Sequence, residues 1–156
     1  MSRSIKTTSM TLCAFLVAAT AAPAHRAAGS EARAVVRLPA ALVGTWTSAR
    51  GNAELVYVFR RDGTYQHAGV LLQPRVSGWF RFEVGAAGIV TVRDRTLVLR
   101  PLRGFEQLRD PEDPSRNYRR GISRGTQRYR WRLSGGTTTL SLTDVRTGVR
   151  IDYERG

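Results

Sequence analysis

The sequence predicts an all-β fold, an antiparallel up-and-down β-barrel of eight to nine short strands, with a β-sandwich as the alternative. Three observations lead there. Along successive short runs apolar residues alternate with polar ones, the two-residue period of a half-buried strand. Turn signals between the runs set registers in which aromatic and aliphatic side chains gather on one face of three consecutive strands. No stretch shows the apolar period of an amphipathic helix, and 156 residues leave room for one small domain.

The first segment reads as an export signal. Arg3 and Lys6 precede an apolar stretch, Thr11 to Ala22, and Ala22-Pro23-Ala24 places small residues where a signal peptidase reads them. A dozen apolar residues cannot cross a hydrocarbon core about 30 Å thick, which needs about 20 helical residues, so no transmembrane anchor is expected. Cys13 lies inside the apolar stretch behind bulky Leu12, a poor context for lipid attachment. The expected organisation is a signal peptide at 1–24, a flexible Ala-rich lead-in at 25–40 and the barrel domain at 41–156. Cleavage after Ala24 would remove the two cations Arg3 and Lys6 and the only cysteine, leaving 132 residues with 23 Arg, 12 acids and a net charge of +11. A cysteine-free mature chain suits an oxidising exterior.

The hairpins then follow in order. Leu55, Tyr57 and Phe59 alternate with Val56, Val58 and Arg60, and Arg61-Asp62-Gly63 forms a three-residue turn. That turn sets Arg60 opposite Thr64, Phe59 opposite Tyr65, Tyr57 opposite His67 and Leu55 opposite Gly69. Phe80, Phe82 and Val84 alternate with Trp79, Arg81 and Glu83, and the runs Ile89 to Val92 and Thr96 to Leu99 join through Arg93-Asp94-Arg95. Gly104 to Thr126 interrupts the strand pattern and reads as a long charged loop at one mouth of the barrel, a candidate gate. Tyr129, Trp131 and Leu133 then alternate with Arg128, Arg130 and Arg132. Two-residue turns at Gly135-Gly136 and Thr147-Gly148 would set Trp131 opposite Leu140, Tyr129 opposite Leu142 and Leu142 opposite Tyr153.

The net charge of +13 comes from 25 Lys+Arg against 12 Asp+Glu, and Lys6 is the only lysine. Such an arginine bias is as easily a product of GC-rich codons as of an anionic partner. Alternation places the cations at 128, 130 and 132 on the face opposite Tyr129 and Trp131, so stacking and phosphate contacts would not share a surface and no nucleic-acid partner is expected. An outward charged face that blocks edge pairing explains the same pattern, with attraction to an anionic cell surface as a further reading.

Leu42-Val43-Gly44-Thr45-Trp46 resembles the glycine-x-tryptophan opening of the lipocalins and the wider calycin group, and the run through Asp62-Gly63-Thr64-Tyr65 is similar to small secreted bacterial lipocalin-like domains. The resemblance covers residues 41 to 75. It implies that Gly44 and Trp46 close one end of the barrel beneath an arginine from the last strand. Arg150 is the candidate for that arginine, with Arg132 and Arg155 as alternatives. The chain departs from typical lipocalins in being shorter and in lacking a C-terminal helix and disulfides. The first strand also resembles that of the avidins, without a matching set of biotin contacts.

The expected function is to bind a small apolar or aromatic molecule in a cavity lined by Tyr57, Phe59, Tyr65, His67, Trp131 and Tyr153. His67 sits among aromatics and as a nearly buried imidazole would titrate close to neutral pH. No second catalytic group stands at a telling spacing, so no catalytic residue is assigned. Two distant histidines and no cysteine in the mature chain do not make a zinc site, and the acids at 110, 112 and 113 lack calcium-loop spacing, so neither metal nor cofactor is expected. The competing readings are an extracellular protein-binding or protease-inhibitor module acting through the 104–126 segment, and a cofactor-free cyclase or isomerase working by positioning alone.

Overall fold

The computed structural model describes residues 38–156; the expected signal peptide and most of the lead-in lie outside them. The described residues form nine strands: β1 (Gly44–Arg50), β2 (Ala53–Phe59), β3 (Thr64–Arg75), β4 (Gly78–Arg93), β5 (Thr96–Arg109), β6 (Tyr118–Gly121), β7 (Gln127–Ser134), β8 (Thr139–Asp144) and β9 (Arg150–Arg155). All pairings are antiparallel, and eight strands close in the order β1-β2-β3-β4-β5-β7-β8-β9-β1. β6 stands outside the ring, paired to β5. The predicted barrel is therefore present, with one strand added. No helix among the described residues is long and apolar enough to cross a membrane.

The β2–β3 hairpin has the expected register throughout, with Tyr57 opposite His67 and Phe59 opposite Tyr65. Its turn works as the sequence implies. Gly63 takes φ 77°, Gly63 N–H donates to the Arg60 carbonyl at 3.1 Å, and Asp62 Oδ1 accepts from Thr64 N–H at 2.9 Å.

The last two registers each differ by two residues from the expected ones. Leu133 faces Leu140 and Trp131 faces Leu142, while Leu140 rather than Leu142 faces Tyr153. The Gly-Gly turn needs four residues, because Thr138 turns back and its N–H donates to the Gly135 carbonyl at 3.3 Å and its hydroxyl at 2.7 Å. The β8–β9 loop is lengthened by Asp144, whose Oδ1 accepts from Arg146 N–H at 2.9 Å, Thr147 N–H at 2.7 Å and the Thr147 hydroxyl at 3.0 Å. A shift of two keeps every side chain on its expected face. Tyr129, Trp131 and Leu133 remain half-buried while Arg128, Arg130 and Arg132 are exposed.

The segment expected to be one long loop is in part strand. β5 runs on to Arg109 against β4, a bulge at Ala87/Gly88 bends the pair, and Tyr118–Gly121 adds β6. Of the charges that prompted the loop reading, Asp110, Glu112 and Asp113 do lie in the connection between β5 and β6, while Arg119 and Arg120 belong to β6, where Arg120 faces Glu106 at 2.6 Å and Glu106 accepts from the Tyr118 hydroxyl at 3.2 Å. β3, β4 and β5 are long, at 12, 16 and 14 residues, against 6 to 8 for the other ring strands. Their surplus lengths project past the rim as a tongue edged by β6.

One end of the barrel is closed. Leu38 and Leu42 are buried beneath Trp46, itself 0 % exposed, and the Trp46 indole N–H donates to the Leu42 carbonyl at 2.9 Å. The cation above it is Arg155, with its guanidinium carbon 4.3 Å from the ring centroid. Arg155 also donates to the carbonyls of Ala41 at 2.5 Å, Val43 at 3.0 Å and Thr137 at 3.2 Å. Arg150 does not fill this place. Strand alternation turns it away from Tyr153, and it pairs instead with Asp152 at 2.8 Å and donates to the Ser141 hydroxyl at 2.9 Å. Arg132, also outward, is likewise excluded. Gly44 has a spatial reason to be glycine. Its φ is +137°, and a Cβ there would come 2.9 Å from the Arg155 guanidinium.

Loss of this clamp is expected to weaken the fold. Arg155→Gln should lower unfolding stability by about 1–3 kcal/mol, and Gly44→Ala by a similar amount, because both displace the guanidinium from Trp46. Arg150→Gln, at a half-exposed ion pair, should cost less than about 1 kcal/mol. Urea unfolding followed by tryptophan fluorescence measures all three, and equal effects at Arg150 and Arg155 would contradict this ranking.

Candidate functional site

The plugged end uses up only part of the interior. Phe59, Tyr65, Val90, Leu97, Leu99 and Leu140 fill the ring above Trp46, each 0–1 % exposed. Beyond them the side chains stop meeting across the lumen. They leave a cavity of about 440 Å³ that opens at the other end, lined by Leu55, Tyr57, His67, Phe82, Val84, Tyr129, Leu142, Ile151 and Tyr153, with Arg124, Gln127, Asp144, Thr147 and Val149 at its mouth.

Tyr57 is the hub of the wall. Its ring stacks on Phe59 at 5.4 Å and 7°, lies 4.4 Å from the His67 ring at 32°, and meets the edge of Tyr153 at 5.5 Å and 70°. These contacts follow from register. β2 sets Tyr57 directly across from His67, and Tyr57 and Phe59 share the inward face of one strand.

Of the six residues expected to line a cavity, Tyr57, His67 and Tyr153 do so. Phe59 and Tyr65 lie deeper, in the packed core. Trp131 packs against that core from β7 but does not border the cavity. Leu55, Phe82, Val84, Tyr129, Leu142, Ile151 and Arg124 complete the lining without having been singled out. Alternation already assigned Leu55, Tyr129 and Leu142 to the inner face. Arg124, which enters from the link between β6 and β7, belongs to the charged 104–126 segment expected at one mouth of the barrel, though it was not singled out as lining.

The polar groups of the lumen are neutral. Burial raises the Tyr57 phenol well above the ordinary tyrosine range and pushes Tyr65 up to about 12, and burial likewise raises Tyr129 and Tyr153. All four keep their protons and remain hydrogen-bond donors. His67 differs from the near-neutral titration expected of it. Burial, reinforced by the Arg124 charge, lowers its pKa to about 4, so the imidazole is uncharged at neutral pH. Neutral imidazole with so low a pKa is a weak base, suited to hydrogen bonding and stacking rather than to proton abstraction. Two buried polar atoms, Tyr65 Oη and Trp131 Nε1, have no partner among the described residues.

His67 ties stability to acid. An unfolded histidine takes up its proton near pH 6.5, whereas the folded one waits until about pH 4. Between these values the unfolded chain binds more protons, so stability falls as pH drops through this window. The expected loss from this group is about 3 kcal/mol between pH 7 and pH 4. His67→Phe should flatten the pH dependence of urea midpoints over that interval, and an unchanged slope would remove His67 as its source. Compared with known protein families, curated proteins and solved structures, the chain shows no match.

Proposed function

We propose that this protein is an exported, lipocalin-like carrier that holds a small apolar or aromatic molecule in its barrel. The observation that carries the reading is the asymmetry of the lumen. One end is sealed by Trp46, Leu42 and Arg155, and the other retains about 440 Å³ of mainly apolar space open to solvent. That volume is within the range of small-molecule sites, as is a lining of aromatics with a few fixed polar groups. Burial of apolar area would supply the affinity. The Tyr57, Tyr129 and Tyr153 phenols and the neutral His67 imidazole would orient the guest.

The lipocalin-like character of the proposal rests on two features together: the Gly44-x-Trp46 opening and a last-strand arginine across the indole. The export proposal rests on the charge, apolar stretch and small-residue site of residues 1–24. In an oxidising exterior, a mature chain that lacks cysteine has no thiol to lose.

The neutral fluorescent probe N-phenyl-1-naphthylamine tests the lumen directly. It is expected to bind one-to-one with micromolar affinity and with energy transfer from tryptophan. Val84→Trp, which fills the cavity wall from a half-buried position, should weaken binding at least about tenfold, about 1.4 kcal/mol. Trp79→Ser should leave it unchanged, since Trp79 is 62 % exposed on the outer tongue. Failure of the folded wild-type protein to bind the probe would defeat the carrier reading.

A further inference from the structure

We propose that the guest is an amphipathic organic acid, with an apolar or aromatic body among Tyr57, His67 and Tyr153 and an oxyanion head held by Arg124 at the mouth. This rests on the lumen-binding reading above and narrows it to a chemical class.

The argument starts from two adjoining spaces. Next to the apolar lumen lies a second recess of about 500 Å³, lined by Arg124, Gly125, Thr126, Gln127, Arg128, Asp144, Val145 and Arg146. Arg124, Gln127 and Asp144 border both spaces. A molecule filling the lumen therefore ends in a basic vestibule, where three arginines outnumber one aspartate.

The nearby acids are already committed. Glu106, whose charge is coupled to Arg124, is bonded to Arg120 at 2.6 Å and to Tyr118 at 3.2 Å. Asp144 Oδ1 accepts from the Thr147 and Arg146 N–H groups and the Thr147 hydroxyl, and these bonds, with the Arg146 charge beside them, hold the carboxyl below the usual carboxylate range. Among the described residues the ion pairs are Arg81–Glu83, Arg120–Glu106 and Arg150–Asp152, so Arg124 and Arg128 have no acidic partner within ion-pair distance there. Arg124 is half-buried against an apolar wall. Its planar fork is free to meet an anion at the end of the lumen and suits a carboxylate, sulfonate or phosphate. The field of Arg124 reaches inward, where it lowers the pKa of His67 and acts on the Tyr65 and Tyr129 phenols. Neutral His67 does not compete for the anion. The phenols stand ready as further donors.

Two probes that differ by one charged group separate this inference from the reading beneath it. Neutral N-phenyl-1-naphthylamine and 1-anilinonaphthalene-8-sulfonate share an aromatic body, and only the second carries an oxyanion. Wild-type protein is expected to bind the sulfonate at least about tenfold more tightly, with dodecanoate displacing it and dodecanol displacing it far less. Arg124→Gln should remove that preference, read as the ratio of the two probes' affinities, while Arg124→Lys, which keeps the charge, should retain part of it. Arg100→Gln, on the exposed outer surface, should change neither probe. Equal or weaker binding of the sulfonate by the wild type would overturn the inference while leaving the carrier reading intact, and so would an Arg124→Gln variant that weakens both probes alike. Binding of neither probe would overturn both.

Discussion

The ring closes through a seam two residue pairs long, Trp46 with Arg155 and Thr47 with Glu154, where β1 meets β9. Every other junction in the ring has at least four pairs. A ladder this short would be a weak closure alone, so the side chains at the seam matter more than their number suggests. Arg155 lies across Trp46 and binds carbonyls from the segment before β1 and from the turn before β8. One guanidinium thus joins the first strand, the last strand and the plug. Gly44 leaves the room that makes this possible.

Closure at one end defines what the other end can be. With Trp46 and the leucines beneath it filling the base, the remaining apolar side chains must either meet in the middle or leave space, and in the upper half they leave space. The aromatic residues there pack against one another around the wall, Tyr57 on Phe59, His67 and Tyr153, rather than across the lumen. Their polar atoms stay un-ionised because burial disfavours charge. The result is a mainly apolar, neutral interior with its charge confined to the rim.

Much of this was legible in the chain, and the parts that were not share a cause. The β2–β3 register could be read residue by residue because Asp62-Gly63 leaves the turn little choice. The faces of β7, β8 and β9 were also legible, although both registers were displaced by two, since an even displacement is silent in a period of two. The displacements arise from side-chain bonds within turns, those of Thr138 and Asp144, which composition does not reveal. The choice between Arg150 and Arg155 was decided by alternation: a residue two beyond inward Tyr153 shares its face, and one three before it does not. The charged 104–126 segment was legible in part: the acids from Asp110 to Asp113 do mark a connection, while the strand content of Tyr118–Gly121 shows only when Arg119 and Arg120 are set across from β5. The cavity depends on side chains failing to meet, a property of packing that no pattern along the chain records.

The strand β5 changes partners partway along one edge, from β7 at Thr96–Leu99 to β6 at Phe105–Leu108. Between these ladders that edge is bridged by the Ile122 N–H donating to the Gly104 carbonyl at 3.0 Å. The wall there is a short link carrying Arg124, not a continuous hydrogen-bonded strand. The rim of the lumen is therefore uneven: most of it is paired strand, and on this side it is a link of five residues, 122–126, that brings Arg124 to the mouth.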